Sequence, residues 1–402
     1  MEEPEAHPRA VAIVLPCLDE ANTIAACVRR AREALDILAA RHGLAGEVIV
    51  ADNGSTDGSQ ELARAAGARV VAVAMRGYGA ALLGGFEAAQ AAGADYLVMG
   101  DSDASYDFVE AVPMIEALMD GADLCMGSRF KGEIKPGAMP WKNRYIGNPV
   151  LSGILRILFQ TSISDAHCGL RALTTDAYRR LDLSSTGMEF ASEMVLKSVL
   201  KRFRIDEVPV TLSPDGRGRP PHLKPWRDGL RHLIYMLLLS PTWLFFVPAI
   251  VFFFFGLAIV SALVIASDAE VLRFGGFFIG DHWAIVGGAS LVIGVQAALA
   301  GLSALLYTYR EGIRPPHKLA VLLLRRSRLQ YWIVAGTLVA LLGLAGAGAI
   351  GAGWISSDYG ALNAVRGLTA SMTAIVIGTQ IFFSGFLLSV VSGNRSWHAT
   401  DL

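Results

Sequence analysis

Asp101-Ser102-Asp103 closes the apolar run "DYLVMG", and two carboxylates one residue apart can clamp a hard divalent cation against a diphosphate. Acidic residues in loops that follow strands more often cap helices or face water. The pair therefore gains meaning only from its neighbours. Pro16 through Glu20 follows one apolar run, Asp52-Asn53-Gly54-Ser55 a second, Arg76-Gly77-Tyr78-Gly79 a third, and Ser128-Arg129 a later one. Carboxylates, glycines and two arginines thus collect at the ends of successive strands, which a random scatter of polar residues would not produce.

The elements that must position them can be read between these segments. "AVAIVLP", "GEVIVAD", "ARVVAVA", "DYLVMGD" and "ADLCMGS" read as strands, and Ile24–Leu38, Ser59–Ala66, Ala80–Ala92 and Val109–Met119 as helices. Alternation of this kind predicts an α/β domain with a mostly parallel sheet covered on both faces. Such sheets bind ligands beyond the carboxyl ends of their strands. A dinucleotide reading of "RGYGAALLGG" fails because Leu82 stands where the third glycine belongs. "DNGSTDGS" fails the calcium-loop pattern, since Gly54 and Thr56 occupy ligand positions.

With 402 residues, 53% hydrophobic and only 18% charged, the chain is too apolar for two ordinary soluble domains. The apolar excess is confined to the C-terminal part. Four stretches, Pro241–Ser267, Ala284–Tyr307, Tyr331–Ile355 and Leu368–Ser392, are each long enough to cross a bilayer of ~30 Å as a helix. The expected organisation is a cytoplasmic α/β domain over 1–222, a juxtamembrane amphipathic helix over 223–239, and a four-helix transmembrane domain over 240–402. Arg310, Arg314, Lys318, Arg325, Arg326 and Arg328 lie between the second and third stretches and Arg395 in the tail. The loop after the first stretch offers Asp268, Glu270, Arg273 and Asp281, and the loop after the third offers Asp358, with Arg366 at its far edge. That bias places both termini and the α/β domain on the cytoplasmic side of a plasma or inner membrane.

The opening "MEEPEAHPRA" is acidic and has no signal-peptide pattern. Cys17, Cys27, Cys125 and Cys168 show no metal-ligand spacing and read as reduced thiols. A net charge of −1 argues against nucleic acid as a partner. A cation–diphosphate site beside a bilayer suggests transfer of a sugar onto a lipid.

An ordered set of segments carries a specific likeness: "IVLPCLDE", "VADNGSTDGS", "RGYGAALLGGF", "MGDSDASYDF", "MGSRF", "SDAHCGLRAL", "GMEFASEM" and "VPVTLSPDGRGRP". Over residues 10–225 the chain resembles family 2 glycosyltransferases of the GT-A fold, and among them the polyprenyl-phosphate (dolichol-phosphate-type) glycosyl transferases. Its departures are small: Asp19 stands where asparagine is commoner, and Cys168 where serine is often found.

The resemblance implies that Pro16, Glu20 and Asp52 cradle the nucleotide base and ribose, with Arg76 and Gly77 near it. It places Asp101, Ser102 and Asp103 at the diphosphate, with Asp101 and Asp103 holding Mg²⁺ or Mn²⁺ and Asp103 the direct ligand. Arg217, Arg219 and Lys224 would close over the donor diphosphate, or would be drawn to anionic headgroups. Asp165 would lie near the reacting phosphate, either as a base or to orient Arg171 or His167, and Glu193 could partner an arginine.

A lipid monophosphate acceptor has a second pKa of about 6 by analogy with phosphorylated side chains, so it needs cationic positioning more than a base. Arg129 and Arg144 are the candidates for that role, against the bland reading of surface arginines. "AMPWKNRYIGNPVLSGILRILF" reads as an interfacial segment. "KPWRDGLRHLIYMLLL" does likewise, with Trp226, Leu230, Leu233 and Leu237 on one face and Arg227 and Arg231 off it.

The implied reaction is inverting transfer of a hexose from UDP-glucose, or next from GDP-mannose, to a polyprenyl phosphate. The glycine- and alanine-rich spans suit close packing and a homo-oligomer. A processive polysaccharide synthase is disfavoured because the chain has no Arg-Trp dipeptide for a Q-x-x-R-W motif. A nucleotide-sugar-binding scaffold without activity is the remaining alternative.

Overall fold

A computed structural model of the chain describes residues 9–216, 225–266, 272–274, 277–310, 329–360, 362 and 364–392. It separates into two units, Met1–Met236 and Leu237–Leu402.

The first unit begins with β1 (Ala10–Cys17), α1 (Ile24–His42), β2 (Ala45–Asp52), α2 (Ser59–Ala65), β3 (Arg69–Ala72) and α3 (Tyr78–Ala91). Next come β4 (Tyr96–Met99), α4 (Val112–Met119), β5 (Leu124–Ile134), α5 (Asn148–Phe159) and β6 (Arg171–Thr174). It continues with α6 (Thr175–Leu181), α7 (Phe190–Leu200), β7 (Ile205–Leu212) and α8 (Pro225–Leu238). The seven strands form one sheet in the order β3-β2-β1-β4-β6-β5-β7. Only β6 runs antiparallel to its neighbours, β4 and β5, so the mostly parallel α/β sheet expected from the alternation is what the chain forms.

Helices cover both faces, and the central strands are accordingly apolar throughout: all of β4 is buried, as is all of β1 after Ala10. Helix α1 buries Ile24, Cys27, Val28, Ala31, Ala34, Leu35 and Leu38, the one-sided stripe of a helix on a sheet. Strand order reverses at β1, which pairs with β2 on one side and β4 on the other. A crevice at the carboxyl ends of strands opens at such a reversal, and here it is flanked by Pro16–Glu20 and Asp101–Asp103.

Two details differ from the reading of the sequence. Ser128 and Arg129 sit inside β5 rather than at its end, because pairing with β7 resumes after a register shift between Ser128 and Glu133. Strands β6 and β7 carried no clear signal: β6 is four residues long, and β7 is an edge strand containing Asp206, Glu207 and Pro209.

Helix α5 exposes Val150 and Ile157 along with the preceding Trp141, Tyr145 and Ile146. On α8 the expected apolar seam divides. His232 and Met236 turn inward while Leu230, Ile234 and Leu238, spaced four apart, stay exposed.

Among the described residues, the second unit holds four helices long and apolar enough to cross a membrane: Thr242–Ile265, Asp281–Arg310, Leu329–Ser356 and Val365–Val391. The second and third run past the stretches expected from the sequence, the second as far as Asp281 and Arg310; the fourth starts early enough to include Arg366, and the first is slightly shorter than expected. Arg366 is buried and donates to Asp281 at 2.7 Å and to the Leu263 carbonyl at 3.5 Å, tying three helix ends together. Leu338, Leu341, Leu342 and Leu344 are exposed, which suits contact with acyl chains.

Candidate functional site

The acidic loop after β4 is strapped to both of its neighbours. Ser102 Oγ donates to the Pro16 carbonyl at 2.6 Å, and Thr23 Oγ1, at the start of α1, donates to the Ser102 carbonyl at 2.7 Å. Asp103 Oδ1 accepts from the Ser105 N–H at 3.0 Å and from Ser105 Oγ at 2.5 Å. Tyr78, in the first turn of α3, donates its hydroxyl to Asp101 Oδ1 at 3.0 Å. The protein thus orients both carboxylates. Gly216, the last described residue before the expected basic loop, donates its N–H to the Asp103 carbonyl at 2.9 Å; Arg217, Arg219 and Lys224 themselves lie outside the described residues.

Among the described residues no three His, Cys, Asp or Glu side chains converge as a cage for a cation. Two hard carboxylates without a cage fit Mg²⁺ or Mn²⁺, which are commonly bound through one or two carboxylates while substrate phosphates and water fill the other positions. The donor set is compatible with the ion that the sequence implied.

The residues expected at the base and ribose belong to a buried hydrogen-bonded scaffold. Asp52 accepts from Gly54 N–H at 3.0 Å, Ser55 N–H at 3.1 Å and Gln60 Nε2 at 2.8 Å, and is 1% exposed. The Glu20 N–H donates to Ser59 Oγ at 2.8 Å. Asn53, which the sequence did not single out, donates to the carbonyls of Val73 and Met75 and accepts from Gly77 N–H at 2.6 Å. Asn53 thereby fixes the turn that carries the exposed Arg76.

Gly77 has φ 140°, and a Cβ there would lie 2.2 Å from the Thr186 carbonyl oxygen. Only glycine allows the approach. Glu193 holds the facing segment by accepting from the N–H groups of Ser184 and Ser185, and its ion pair is with Lys197 at 2.7 Å. The expected arginine partner is corrected on that point: Lys197 lies one helical turn away on the same face.

A second cluster forms around β5. Arg129 donates through Nε and Nη2 to the two oxygens of Asp165 at 2.6 and 2.7 Å, and its backbone N–H adds a third bond at 3.1 Å. The pair is buried, with Asp165 at 0% and Arg129 at 8% exposure. Burial works against the Asp165 charge, but the Arg129 hydrogen bonds and charge outweigh it and hold the carboxyl below its ordinary value.

That leaves Arg129 Nη1 with no partner among the described residues. Arg129 lines a cleft of about 290 Å³ together with Phe130, Gly132, Ile134, Arg144, Tyr145 and Pro149. Arg144 stacks its guanidinium 5.5 Å from the Tyr145 ring centroid and reaches the Ile134 carbonyl at 3.5 Å. The two arginines expected to receive a phosphate therefore meet in one cleft.

Asp165 does not orient Arg171, whose three guanidinium nitrogens donate to the carbonyls of Cys168, Ala191 and Ala166. His167 lies against His232 with ring centroids 5.2 Å apart, and burial, aided by that neighbour, pulls it down to about 3, so the ring is neutral. His232 is held in turn by Ser192 Oγ at 2.6 Å.

At the far end of the same loop, Gly169 packs so tightly that a Cβ would lie 2.6 Å from Asp101 Oδ2, and its N–H donates to Tyr106 Oη at 3.1 Å. Asp165 and Gly169 are four residues apart, at most about 14 Å of chain. One short loop therefore touches both the arginine cluster and the carboxylate cluster. Asn53, Tyr78, Ser105 and Tyr106 lie in the segments marked from the sequence but were given no role there, and Glu207 was not named at all.

Comparison with known proteins adds an independent line. Residues 12–182 match the model for glycosyl transferase family 2, and residues 302–392 match the model for the glycosyltransferase family 2 C-terminal transmembrane region. The low-salt glycan biosynthesis hexosyltransferase Agl6 of Haloferax volcanii is 36% identical over 94% of this chain and 88% of its own length. The polyprenol monophosphomannose synthase of Mycolicibacterium smegmatis is 28% identical over 50% of this chain and 76% of its own. Glucosyl-3-phosphoglycerate synthase from Mycobacterium tuberculosis, solved with Mn²⁺, UDP-glucose and phosphoglyceric acid, is 22% identical with a TM-score of 0.44, covering 57% of this chain and 79% of that one.

Proposed function

Since this chain belongs to glycosyltransferase family 2, we propose that it transfers a hexose from a nucleotide-diphosphate sugar to a polyprenyl phosphate at a membrane surface. The observation that carries the reading is the cleft where Arg129, clamped by buried Asp165, meets Arg144. The loop that positions Arg129 ends against Asp101. Two anion-handling clusters joined by one loop suit a reaction between two phosphates.

In that reaction an oxygen of the acceptor monophosphate attacks the anomeric carbon of the sugar. The bond from that carbon to the nucleoside diphosphate breaks, the electron pair leaves with the diphosphate, and configuration inverts. Arg129 and Arg144 hold the acceptor phosphate, and bidentate guanidinium contacts fix its oxygens in direction as well as place. Because such a monophosphate is largely dianionic at neutral pH, no proton need be removed. Asp165, with its lowered pKa and both oxygens on Arg129, serves to place that arginine and not to accept a proton.

Asp101 and Asp103 are the residues that would hold Mg²⁺ or Mn²⁺, Asp103 more directly, and Ser102 ties them to Pro16. When bound, the ion neutralises charge developing on the departing diphosphate. Arg76, Gly77, Pro16, Glu20 and Asp52 are proposed to form the nucleotide end of the same edge. We place the α/β domain and both termini on the cytoplasmic face, from the lysines and arginines between the second and third spans.

The test is transfer itself. Full-length protein in lipid nanodiscs, given radiolabelled UDP-glucose or GDP-mannose and a short polyprenyl phosphate, should form a mild-acid-labile glycolipid, and EDTA should stop it. UDP-glucose is the expected donor and GDP-mannose the second. If no nucleotide sugar yields such a lipid while nucleotide still binds, the non-catalytic scaffold is the correct reading.

A further inference from the structure

We propose that Glu207 is a positioning residue for the acceptor phosphate: it fixes the Ser164–Asp165 backbone so that Asp165 presents Arg129 to the cleft. The inference rests on Arg129 being the acceptor-phosphate ligand. It concerns a residue on a different strand that touches neither phosphate.

Glu207 lies on β7 opposite Met126 of β5. Its side chain is only 6% exposed, and a carboxylate so buried is tolerated only when its oxygens are engaged. Oε1 accepts three hydrogen bonds, from Ser164 N–H at 2.8 Å, Ser164 Oγ at 3.0 Å and Asp165 N–H at 3.2 Å. Oε2 takes Lys131 Nζ at 2.7 Å.

The direction of the hydroxyl bonds follows. Ser164 spends its single hydroxyl hydrogen on Glu207, so in its 2.7 Å contact with Ser128 Oγ it must accept. Ser128 is therefore the donor there, and in turn accepts from Lys131 N–H at 3.2 Å. The network runs one way, from β5 through the loop to β7, and ends on the Glu207 carboxylate.

Its consequence for the cleft is geometric. Asp165 is fully buried and meets Arg129 through two side-chain bonds and one backbone bond, an arrangement that depends on where its own backbone stands. Glu207 grips that backbone at Asp165 and at the residue before it. Lys131 is half exposed, and an ion pair with an exposed partner contributes little. The function therefore resides in Oε1, an acceptor that glutamine can also supply.

The experiment compares Glu207→Ala, Glu207→Gln and Glu207→Met in full-length protein, with the donor that the wild type turns over and a short polyprenyl monophosphate. Glu207→Ala should raise the lipid KM about tenfold or more, as expected when charge-assisted hydrogen bonds are lost, with the donor KM within about twofold. Glu207→Gln should stay within about threefold of wild type in both.

Without any substrate, amide exchange at Ser164 and Asp165 should quicken in Glu207→Ala and not in Glu207→Gln. A residue that only stabilised the fold would move both KM values together, so a parallel rise overturns the proposal, as does a glutamine variant as impaired as alanine. Should Glu207→Ala not fold, a Glu207→Met variant, which fills the space but offers Ser164 and Asp165 no carboxylate acceptor, overturns it by showing a wild-type lipid KM. Wild-type protein that makes no glycolipid removes the functional reading and this inference with it, whereas an active wild type with an unmoved Glu207→Ala removes the inference alone.

Discussion

The carboxylate edge and the arginine cleft handle anions by different means. Asp101 and Asp103 are held by hydroxyls and backbone N–H groups of their own neighbourhood, namely Tyr78, Ser105 and the strap through Ser102 and Thr23. Arg129 is held by one buried counter-charge, and Arg144 by a ring and a long bond to a carbonyl. Single hydrogen bonds to a carboxylate can be lost one at a time at about 1.5–3 kcal/mol each. A buried ion pair fails all at once. The comparison teaches that the first site is robust in fold and fragile in chemistry, while the second is fragile in fold at Arg129 and adjustable at Arg144.

The sharpest test of the first half is Asp103→Ala. Turnover should fall by about a thousandfold, the scale of losing a group that stabilises charge on a leaving group, with the thermal midpoint changed by only a few degrees. Measured side by side with Asp101→Ala, near-normal turnover in the Asp103 variant would remove it as the direct ligand and break the contrast.

The second half is tested by Arg129→Ala and Asp165→Asn, each of which strands one member of a buried pair. Such a loss costs about 3–5 kcal/mol, so denaturant unfolding should show both variants destabilised at pH 7. The pH dependence has a definite sign. Because the folded Asp165 pKa lies below its unfolded value of about 3.9, its contribution to stability is complete above that value. It is lost as pH falls through the lower folded pKa. The wild type should lose stability below about pH 4 more steeply than Asp165→Asn; parallel acid limbs would mean that the pair carries no stability.

Much of this was legible in the sequence, and what was not has physical reasons. Strands β1, β2 and β4 are continuous apolar runs because both their faces are covered, so they announce themselves. β7 is an edge strand with charges inside it, so neither the strand nor Glu207 stands out from residue type. Asp101, Asp103, Arg129 and Arg144 could be named from residue type and likeness. Their fixings could not: Tyr78 reaches Asp101 across 23 positions, Asp165 reaches Arg129 across 36, and Glu207 reaches Ser164 across 43. Charge partners are a matter of tertiary geometry. Glu193 is the exception, since its partner Lys197 stands one turn along its own helix, a spacing open to view in the sequence, and is not the expected arginine.

Gly169 is where the two regions touch, and Gly169→Ala sharpens the comparison from the middle. The added Cβ would lie 2.6 Å from Asp101 Oδ2 and 3.1 Å from Tyr106, so one of these must move. Turnover should drop by tens of fold, on the scale by which misplacing a reacting group costs rate. Lipid KM should change little, because Asp165 and Arg129 stay in register at the other end of the loop. A lipid KM that rose with the loss of turnover would mean that the loop moves as one body and that the two clusters are not separable.

The smallest expected effect is at Arg144. It lacks a buried counter-charge among its described partners and sits over Tyr145 in a segment whose Trp141 and Ile146 are exposed, so its removal should leave stability within about 0.5 kcal/mol of wild type. Its cost should appear in recognition. Arg144→Ala is expected to raise the lipid KM about tenfold with little change in donor KM, the pattern of a lost contact to one substrate. Arg144→Lys should recover only part of that loss, since a point charge cannot reproduce a planar fork on a phosphate. Full recovery by lysine would reduce Arg144 to a source of positive potential. A donor KM raised more than the lipid KM would transfer it to the other cluster and dissolve the division between a fixed edge and an adjustable cleft.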